Sequence, residues 1–333
     1  MNLNFLKKID LYKSSLIDYS NLISGLLTPQ DSFFKKFELD QYNKNYSKGI
    51  PMLLPFGLNY FEYIDEDYFI LNKEDIANVI FSIKNPNYIG VKRLISNGIK
   101  FASNGKPKKK YIKVINHINS YNYYQKKIIT NYSKKGYKIA AFQTRNFPHF
   151  GHEAIINYLL SKVDYVVVNP LVGPKKKDDV NYEALIKAYK YLIDKKFNSK
   201  VLILPAIVNM FYAGPREACH HAIVRKNLGF THFIVGRDHA GAENIYNENL
   251  SSIVTKRFEK KLKIKIIGID GAVYCIKCKK SVIKGFCDHS SDKLFDISGS
   301  KFRYALNNKK YYKYADIDLQ DFLLKNDFKL FQS

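Results

Sequence analysis

Gln143-Thr-Arg-Asn-Phe-Pro-His-Phe-Gly-His152 is the stretch on which the reading of this chain turns. The apolar run Lys138–Phe142 before it fits a buried strand. Glu153–Leu160 after it carries apolar residues at helical spacing. The ten residues therefore lie on a strand-to-helix turn. In an open α/β sheet such a turn offers an anion free backbone N–H groups and the positive end of the helix dipole. Gly151 lets backbone approach a ligand closely. His149 and His152, three residues apart, can face one anion, and Arg145 presents a planar fork of donors suited to a tetrahedral oxyanion. This chemistry suits phosphoryl or nucleotidyl transfer. The tetrapeptide His149-Phe-Gly-His152 alone fits a pair of helix caps equally well, so other segments must support the reading.

Working outward, strands and helices alternate from about residue 138. Strands are expected at Lys138–Phe142, Tyr165–Asn169, Val201–Pro205, Thr231–Gly236 and Ile264–Gly268. Helices are expected over 153–163, 181–195, 213–227 and 250–261, with Pro215 suited to a first turn. That rhythm implies a parallel sheet with crossovers, an α/β, Rossmann-like doubly wound architecture. Polar clusters follow the first four strands: Gln143–His152, Pro170–Lys177, Asn209–Glu217 and Gly236–Gly241. Ligands bind beyond the carboxyl ends of such strands, so the four clusters predict one pocket.

These segments resemble one family. The decapeptide is similar to the Gln-x-Arg-Asn-Pro-x-His-x-Gly-His segment of ATP sulfurylases (sulfate adenylyltransferases). Asn169-Pro-Leu-Val-Gly173, Ala213-Gly-Pro-Arg-Glu-Ala218, His221–Asn227, Thr231–Gly241 and Ile297-Ser-Gly-Ser-x-x-Arg303 match further segments of that family. The resemblance implies adenylyl transfer from MgATP to sulfate, giving adenosine phosphosulfate and pyrophosphate. Sulfate is a weakly basic dianion that needs no general base, so the chemistry asks mainly for positive charge and positioning. By resemblance, Gln143 and Arg145 hold sulfate with the backbone at Ala240. Thr144 and Asn146 contact the nucleotide phosphates. His149 and His152 hold phosphates and stabilise the transition state. Gly236, Arg237 and Asp238 hold ribose and phosphate, and Arg237 can serve the leaving pyrophosphate. Ser298 and Arg303 close over the phosphates. His239, His220, His221 and Cys219 read as packing residues, and Arg216 as fixing a helix start. The family usually self-associates, so a homo-oligomer is expected.

The chain departs from the family pattern in three places. Asn-Pro becomes Asn146-Phe-Pro148, Phe150 stands where the family has Arg, and Leu185 lies near another family Arg. None touches the glutamine, arginine or histidines.

Residues 1–133 have a different texture, dense in aromatics and short apolar runs. Strands are expected at Pro51–Phe56, Tyr68–Leu71 and Tyr111–Ile115, a helix at Asp75–Phe81, and a polar helix or connector at Asn116–Gln125. Ser24–Asp31 loosely resembles the opening of the sulfurylases, whose N-terminal domain is β-rich and PUA-like. The expected organisation is therefore such a domain over 1–133, a catalytic domain over 134–290, and a small helical segment over 291–333. No Gly-Lys-Ser/Thr phosphate loop occurs, so no kinase domain is expected.

Within 134–290, Cys275-x-x-Cys278 followed by Cys287-x-His289 has ligand types and spacing for a structural, tetrahedral Zn²⁺ at 275–289. Asp288 or Asp292 are alternatives to His289.

The net charge of +24 raises nucleic acid as a partner. The lysines are spread along the chain, however, and Lys, Asn, Ile, Tyr and Phe are abundant while Trp is absent. Biased base composition and attraction of anionic substrates explain the charge better. No apolar run reaches membrane-span length, and Met1–Lys8 lacks a secretory apolar core, so a cytoplasmic protein is expected. Two other functions stay open at this point. One is another nucleotidyltransferase of the His-x-Gly-His type acting on a phosphorylated small molecule, which leaves Gln143-x-Arg145 and Ala240 unexplained. The other is a basic RNA-binding protein, which leaves the strand-end clusters unexplained.

Overall fold

The computed structural model describes residues 14–28, 30–33, 57–58, 63–64, 68–70, 73–77, 85–96, 98–99, 101–103, 105–175, 179–197, 199–241, 245–326 and 329–332. Helix α1 (Ser14–Ile23) comes first. Short strands follow: β1 (Gly57–Leu58), β2 (Tyr63–Ile64), β3 (Tyr68–Ile70), β4 (Phe101–Ser103) and β5 (Lys106–Pro107), with α2 (Ile89–Ser96) between β3 and β4. All their pairings are antiparallel, β1-β4-β3 in one small sheet and β2-β5 in another. The strand expected at Pro51–Phe56 lies outside the described residues. Of the helix expected at Asp75–Phe81, residues 78–81 also lie outside them, and Lys73–Asp75 forms a single turn.

Tyr111–Ile115 is not a strand. Its residues enter α3 (Ile112–Lys134), which absorbs the segment expected to be polar helix or connector. The five-residue window reads as apolar and β-branched, but its burial continues at helical spacing through Ile115, Ile118, Asn122, Gln125 and Ile129. Packing of that face against α1 settles the conformation.

Beyond α3 the alternation holds: β6 (Ile139–Thr144), α4 (Phe150–Leu160), β7 (Tyr165–Val172), α5 (Tyr182–Lys196), β8 (Val201–Ile203), β9 (Ala206–Ile207), α6 (Pro215–Leu228), β10 (His232–Val235), α7 (Leu250–Arg257), α8 (Glu259–Leu262) and β11 (Lys265–Gly268). The path of the main sheet is β11-β10-β6-β7-β8, parallel throughout. Successive residues bury on opposite faces. Ile139, Ala141, Val167, Leu171, Phe233 and Val235 pack with α3 and α6, whereas Ala140, Phe142, Val166, Val168 and Ile234 pack with α4 and α5. Both faces are covered, as a parallel sheet requires. The chain runs from β6 outward to β7 and β8, then returns to lay β10 on the other side of β6. The strand order reverses between β6 and β10, where such folds open a crevice.

The apolar cluster on the α3 side also takes in Leu16, Leu22, Tyr88, Val91 and Leu94. After β11 come the antiparallel strands β12 (Ala272–Cys275), β13 (Lys280–Ile283) and β14 (Leu294–Asp296), then α9 (Gly299–Asn307) and α10 (Ile317–Lys325). Among the described residues no helix is long and apolar enough to cross a membrane.

Candidate active site

A cavity of about 560 Å³ opens at the carboxyl ends of β6 and β10. Its wall includes Gln143, Thr144, Arg145, Asn146 and His152 from the decapeptide, Gly236, Arg237, Asp238 and Ala240 after β10, and Ser298 and Arg303 from the turn into α9. Arg145, His152 and Arg237 thus meet in one place. His149 does not reach the wall. It lies behind His152, the two rings stacked with centroids 3.9 Å apart. Ser300, from the Ile297–Arg303 motif, also lines the wall, and Asp296 and Lys301 join it without having been singled out from sequence.

The turn is built around the start of α4. His149 is its extended N-cap, and the His149 backbone N–H donates to Nδ1 of His152 at 3.3 Å. With Nδ1 accepting, the neutral His152 ring carries its proton on Nε2. Burial keeps both rings neutral, lowering His149 to about 4 and His152 well below the usual histidine value, with neighbouring His149 adding to the effect on His152. Gly151 has a steric reason as well: a Cβ there would lie 3.0 Å from the His149 ring. Thr144 Oγ1 lies 3.1 Å from the Tyr189 hydroxyl, and Asn146 Oδ1 accepts from Arg303. That bond ties the decapeptide to α9.

Arg145 is aimed by buried partners. One of its terminal nitrogens lies 3.6 Å from Oδ2 of Asp179, a carboxylate 1% exposed. Its guanidinium sits 5.3 Å from the centre of the Tyr212 ring, whose hydroxyl donates to the same Asp179 oxygen at 2.8 Å. Lys175 adds charge nearby. Burial lowers its pKa to about 8, opposed by Asp179 and reinforced by Arg145 and Arg303. Asp179 and Tyr212 were not read from sequence. The polar residues just past the basic run Lys175–Lys177 were the available signal.

Arg237 pairs with Glu248 at 3.6 Å and, on the cavity wall, with Asp296 at 4.0 Å. The loop it begins is strained: Asp238 and Ala240 hold φ of 51° and 55°, the left-handed region. Backbone bonds fix it, Asp238 N–H to Glu248 O at 2.7 Å and Gly214 N–H to Ala240 O at 2.8 Å. His221, read from sequence as a packing residue, is indeed buried in α6 and also touches the cavity residue Gln143. It is fully buried, and its Nδ1 lies 2.9 Å from Nε2 of Gln143. The signal was an acid and a histidine four apart, Glu217 and His221, on the helix after the third strand. Leu185 is buried in the core.

Cys275, Cys278, Cys287 and His289 come together on the β12–β13 hairpin, their donor atoms all within 4.8 Å of one another. His289 Nδ1 lies 3.5, 3.4 and 3.4 Å from the sulfurs of Cys275, Cys278 and Cys287, and the last two sulfurs are 3.8 Å apart. Usual zinc bond lengths in a tetrahedron require about 3.6 Å between sulfur and nitrogen and about 3.8 Å between sulfurs. The donor set therefore fits one tetrahedral metal ion. The hairpin packs on α4, with Phe286 and Tyr158 ring centres 5.1 Å apart.

The family model for ATP-sulfurylase matches residues 119–312 of this chain. The sulfate adenylyltransferase of Pyrococcus abyssi is 35% identical over 324 residues, spanning 89% of this chain and 84% of that protein. The sulfate adenylyltransferase of Persephonella marina is 32% identical, spanning 92% and 86%. Among solved structures, the hexameric APS kinase from Thiobacillus denitrificans superposes with a TM-score of 0.62 at 14% identity, over 96% of this chain and 63% of that one. At that identity the likeness is one of fold, a parallel sheet flanked by helices.

Proposed function

Because the chain belongs to the ATP-sulfurylase family, we propose that the cavity between β6 and β10 seats ATP and sulfate side by side and joins them. The activity is that of a sulfate adenylyltransferase, a nucleotidyl transfer: ATP and sulfate give adenosine phosphosulfate and pyrophosphate, reversibly. A sulfate oxygen attacks the α-phosphorus in line. The bond from that phosphorus to the bridging oxygen breaks, and pyrophosphate leaves with the electron pair. No proton has to move, so the residues act by position and charge.

In this reading Gln143, Arg145 and the backbone at Ala240 hold sulfate. Asp179 and Tyr212 hold the Arg145 fork ready, which lowers the cost of ordering it when the anion arrives. Thr144, Asn146, Ser298 and Arg303 grip the nucleotide phosphates. Neutral His152 offers its Nε2 proton to the phosphate oxygens and His149 backs its ring. Gly236, Arg237 and Asp238 hold ribose and phosphate. Mg²⁺ arriving with ATP screens the triphosphate charge. The Cys275, Cys278, Cys287 and His289 set holds a structural Zn²⁺. The antiparallel strands before α3 belong to a PUA-like domain, and self-association is read from mass in light scattering.

The observation that carries the assignment is the meeting of Arg145, His152, Arg237 and Arg303 on one cavity wall. The test is pyrophosphate release that requires ATP and sulfate together, and ATP formation from adenosine phosphosulfate and pyrophosphate. Release independent of sulfate would overturn it.

A further inference from the structure

One imidazole bridges the two loops that flank the crevice. His221 on α6 is fully buried, one turn after Glu217. Glu217 is fixed by the backbone N–H groups of Phe211 and Ala213, each at 2.9 Å. His221 Nε2 lies 3.6 Å from Glu217 Oε1. Its Nδ1 lies 2.9 Å from the Gln143 carboxamide nitrogen and 3.4 Å from Nε2 of His239. Gln143 ends β6, and His239 stands between the strained residues Asp238 and Ala240 after β10. In the arrangement with Gln143 Nε2 on His221, the Gln143 oxygen is buried without a hydrogen-bond partner.

A carboxamide has one accepting and one donating side. If His221 Nδ1 accepts from Gln143, the amide oxygen stays buried without a partner just behind the cavity wall, and an oxygen there repels an oxyanion held against Gln143. If Nδ1 carries the proton, it donates to the amide oxygen and frees the NH₂ for the anion. We propose that His221, backed by Glu217, sets the Gln143 carboxamide with its NH₂ toward the bound oxyanion, making the pocket donor-only and so selective for a tetrahedral oxyanion that carries no proton. The inference rests on the reading that Gln143 and Arg145 hold sulfate.

The surroundings support that tautomer. Glu217 faces Nε2 at 3.6 Å, just beyond hydrogen-bond reach, and burial raises its pKa to about 7, against the two backbone N–H groups and the charges of Arg145 and Arg93, so it is an acid poised to donate to that nitrogen on a small approach. Asp18 faces it from α1 and is raised in the same direction. A charged His221 is disfavoured by burial first, then by Arg225, His239 and His220, with the backbone of Asn209 acting weakly the other way. The ring therefore stays neutral and its proton position is chosen by its neighbours. Sulfate only accepts hydrogen bonds. Inorganic phosphate near neutral pH keeps an O–H, which a ring of donors leaves facing an N–H. Sites with buried polar groups reject such mispaired ligands strongly.

The test compares the folded wild type with His221→Leu, His221→Gln and Arg145→Ala, measuring KM for sulfate and for ATP and inhibition by phosphate, with selenate as an acceptor-only control. His221→Leu is expected to raise the sulfate KM by about tenfold or more, the loss of one hydrogen bond to a charged group. The ATP KM should stay within about twofold, and preference for sulfate and selenate over phosphate should fall by a similar factor. His221→Gln, whose NH₂ can reach the Gln143 oxygen, should recover much of that preference. If His221→Leu does not fold, His221→Asn takes its place, since its shorter amide falls short of Gln143. A sulfate KM and oxyanion preference unchanged in the folded variant, or both KM values rising together, overturns the role of His221 while Arg145→Ala still raises the sulfate KM. If Arg145→Ala also leaves the sulfate KM unmoved, the sulfate pocket itself is misassigned.

Discussion

Loss of the metal from the Cys275–His289 hairpin should act at a distance, on the ATP side of the cavity. The perturbation is Cys278→Ser, or treatment of the intact protein with a strong chelator. The four donors close a loop from Cys275 to His289. Cross-linking a loop of about 15 residues contributes roughly 3 kcal/mol in the chain-entropy view. This is a lower bound for a clip that also makes metal bonds. At about 1.4 °C per kcal/mol for a chain of this length, the melting temperature should fall by roughly 4 °C or more. The effect on catalysis follows from two contacts. The hairpin packs on α4, the helix that begins with His149 and His152, and β12 pairs with β14, which leads into Ser298. The KM for ATP should therefore rise more than the KM for sulfate, because Gln143, Arg145 and Ala240 belong to β6 and the loops after β6 and β10 rather than to α4 or the turn into α9. Elemental analysis should find one zinc per chain in the purified protein and none in Cys278→Ser. Steady-state pyrophosphate release with each substrate varied gives the two KM values. Protein free of stoichiometric zinc, or an unmoved melting temperature on chelation, would refute the clip. A rise confined to the sulfate KM would refute the route to the cavity.

Gly214→Ala should destabilise the protein by about 2 kcal/mol or more. Its φ is 54°, and an added Cβ would meet the Tyr246 ring at 2.5 Å, at the residue whose N–H holds Ala240; thermal melts check it. Arg303→Ala should raise the ATP KM by about tenfold with little effect on the sulfate KM, since Arg303 reaches Asn146 on the nucleotide side. Acid should destabilise the fold. His149 and His239 are depressed by burial to about 4 and about 3, and His152 and His221 lie well below the usual value, so unfolding takes up protons as pH falls below about 6.5. Asp18 and Glu217, raised by burial to about 7, oppose this by releasing protons on unfolding. Four histidines outweigh two carboxyls, leaving a net uptake of about two protons near pH 5, or a loss of about 2–3 kcal/mol per pH unit. Melting temperatures from pH 7 to 4.5 should fall steeply, and less steeply in His149→Gln; a flat profile would contradict the buried neutral rings.

The sequence by itself carried the α/β alternation, because strands buried on both faces must be continuous apolar runs and helices packed on them must repeat near every fourth residue. It also carried the turns that line the cavity, since Gln143–His152 and Gly236–Ala240 each follow such a run, and the cysteine spacing of the hairpin. Local windows failed at Tyr111–Ile115, where four apolar residues around Lys113 fit strand and helix alike until packing against α1 chose. What only the tertiary structure decided is which side chains stand behind the site. Asp179 and Tyr212 aim Arg145, and His221 holds Gln143, across separations of dozens of residues. The physical reason is that an ion pair or a buried hydrogen bond depends on a few ångströms in space, and no periodicity in the chain records that distance. His149 makes the same point. Its spacing from His152 placed both at the turn, but only the start of α4 put one ring on the cavity wall and the other behind it.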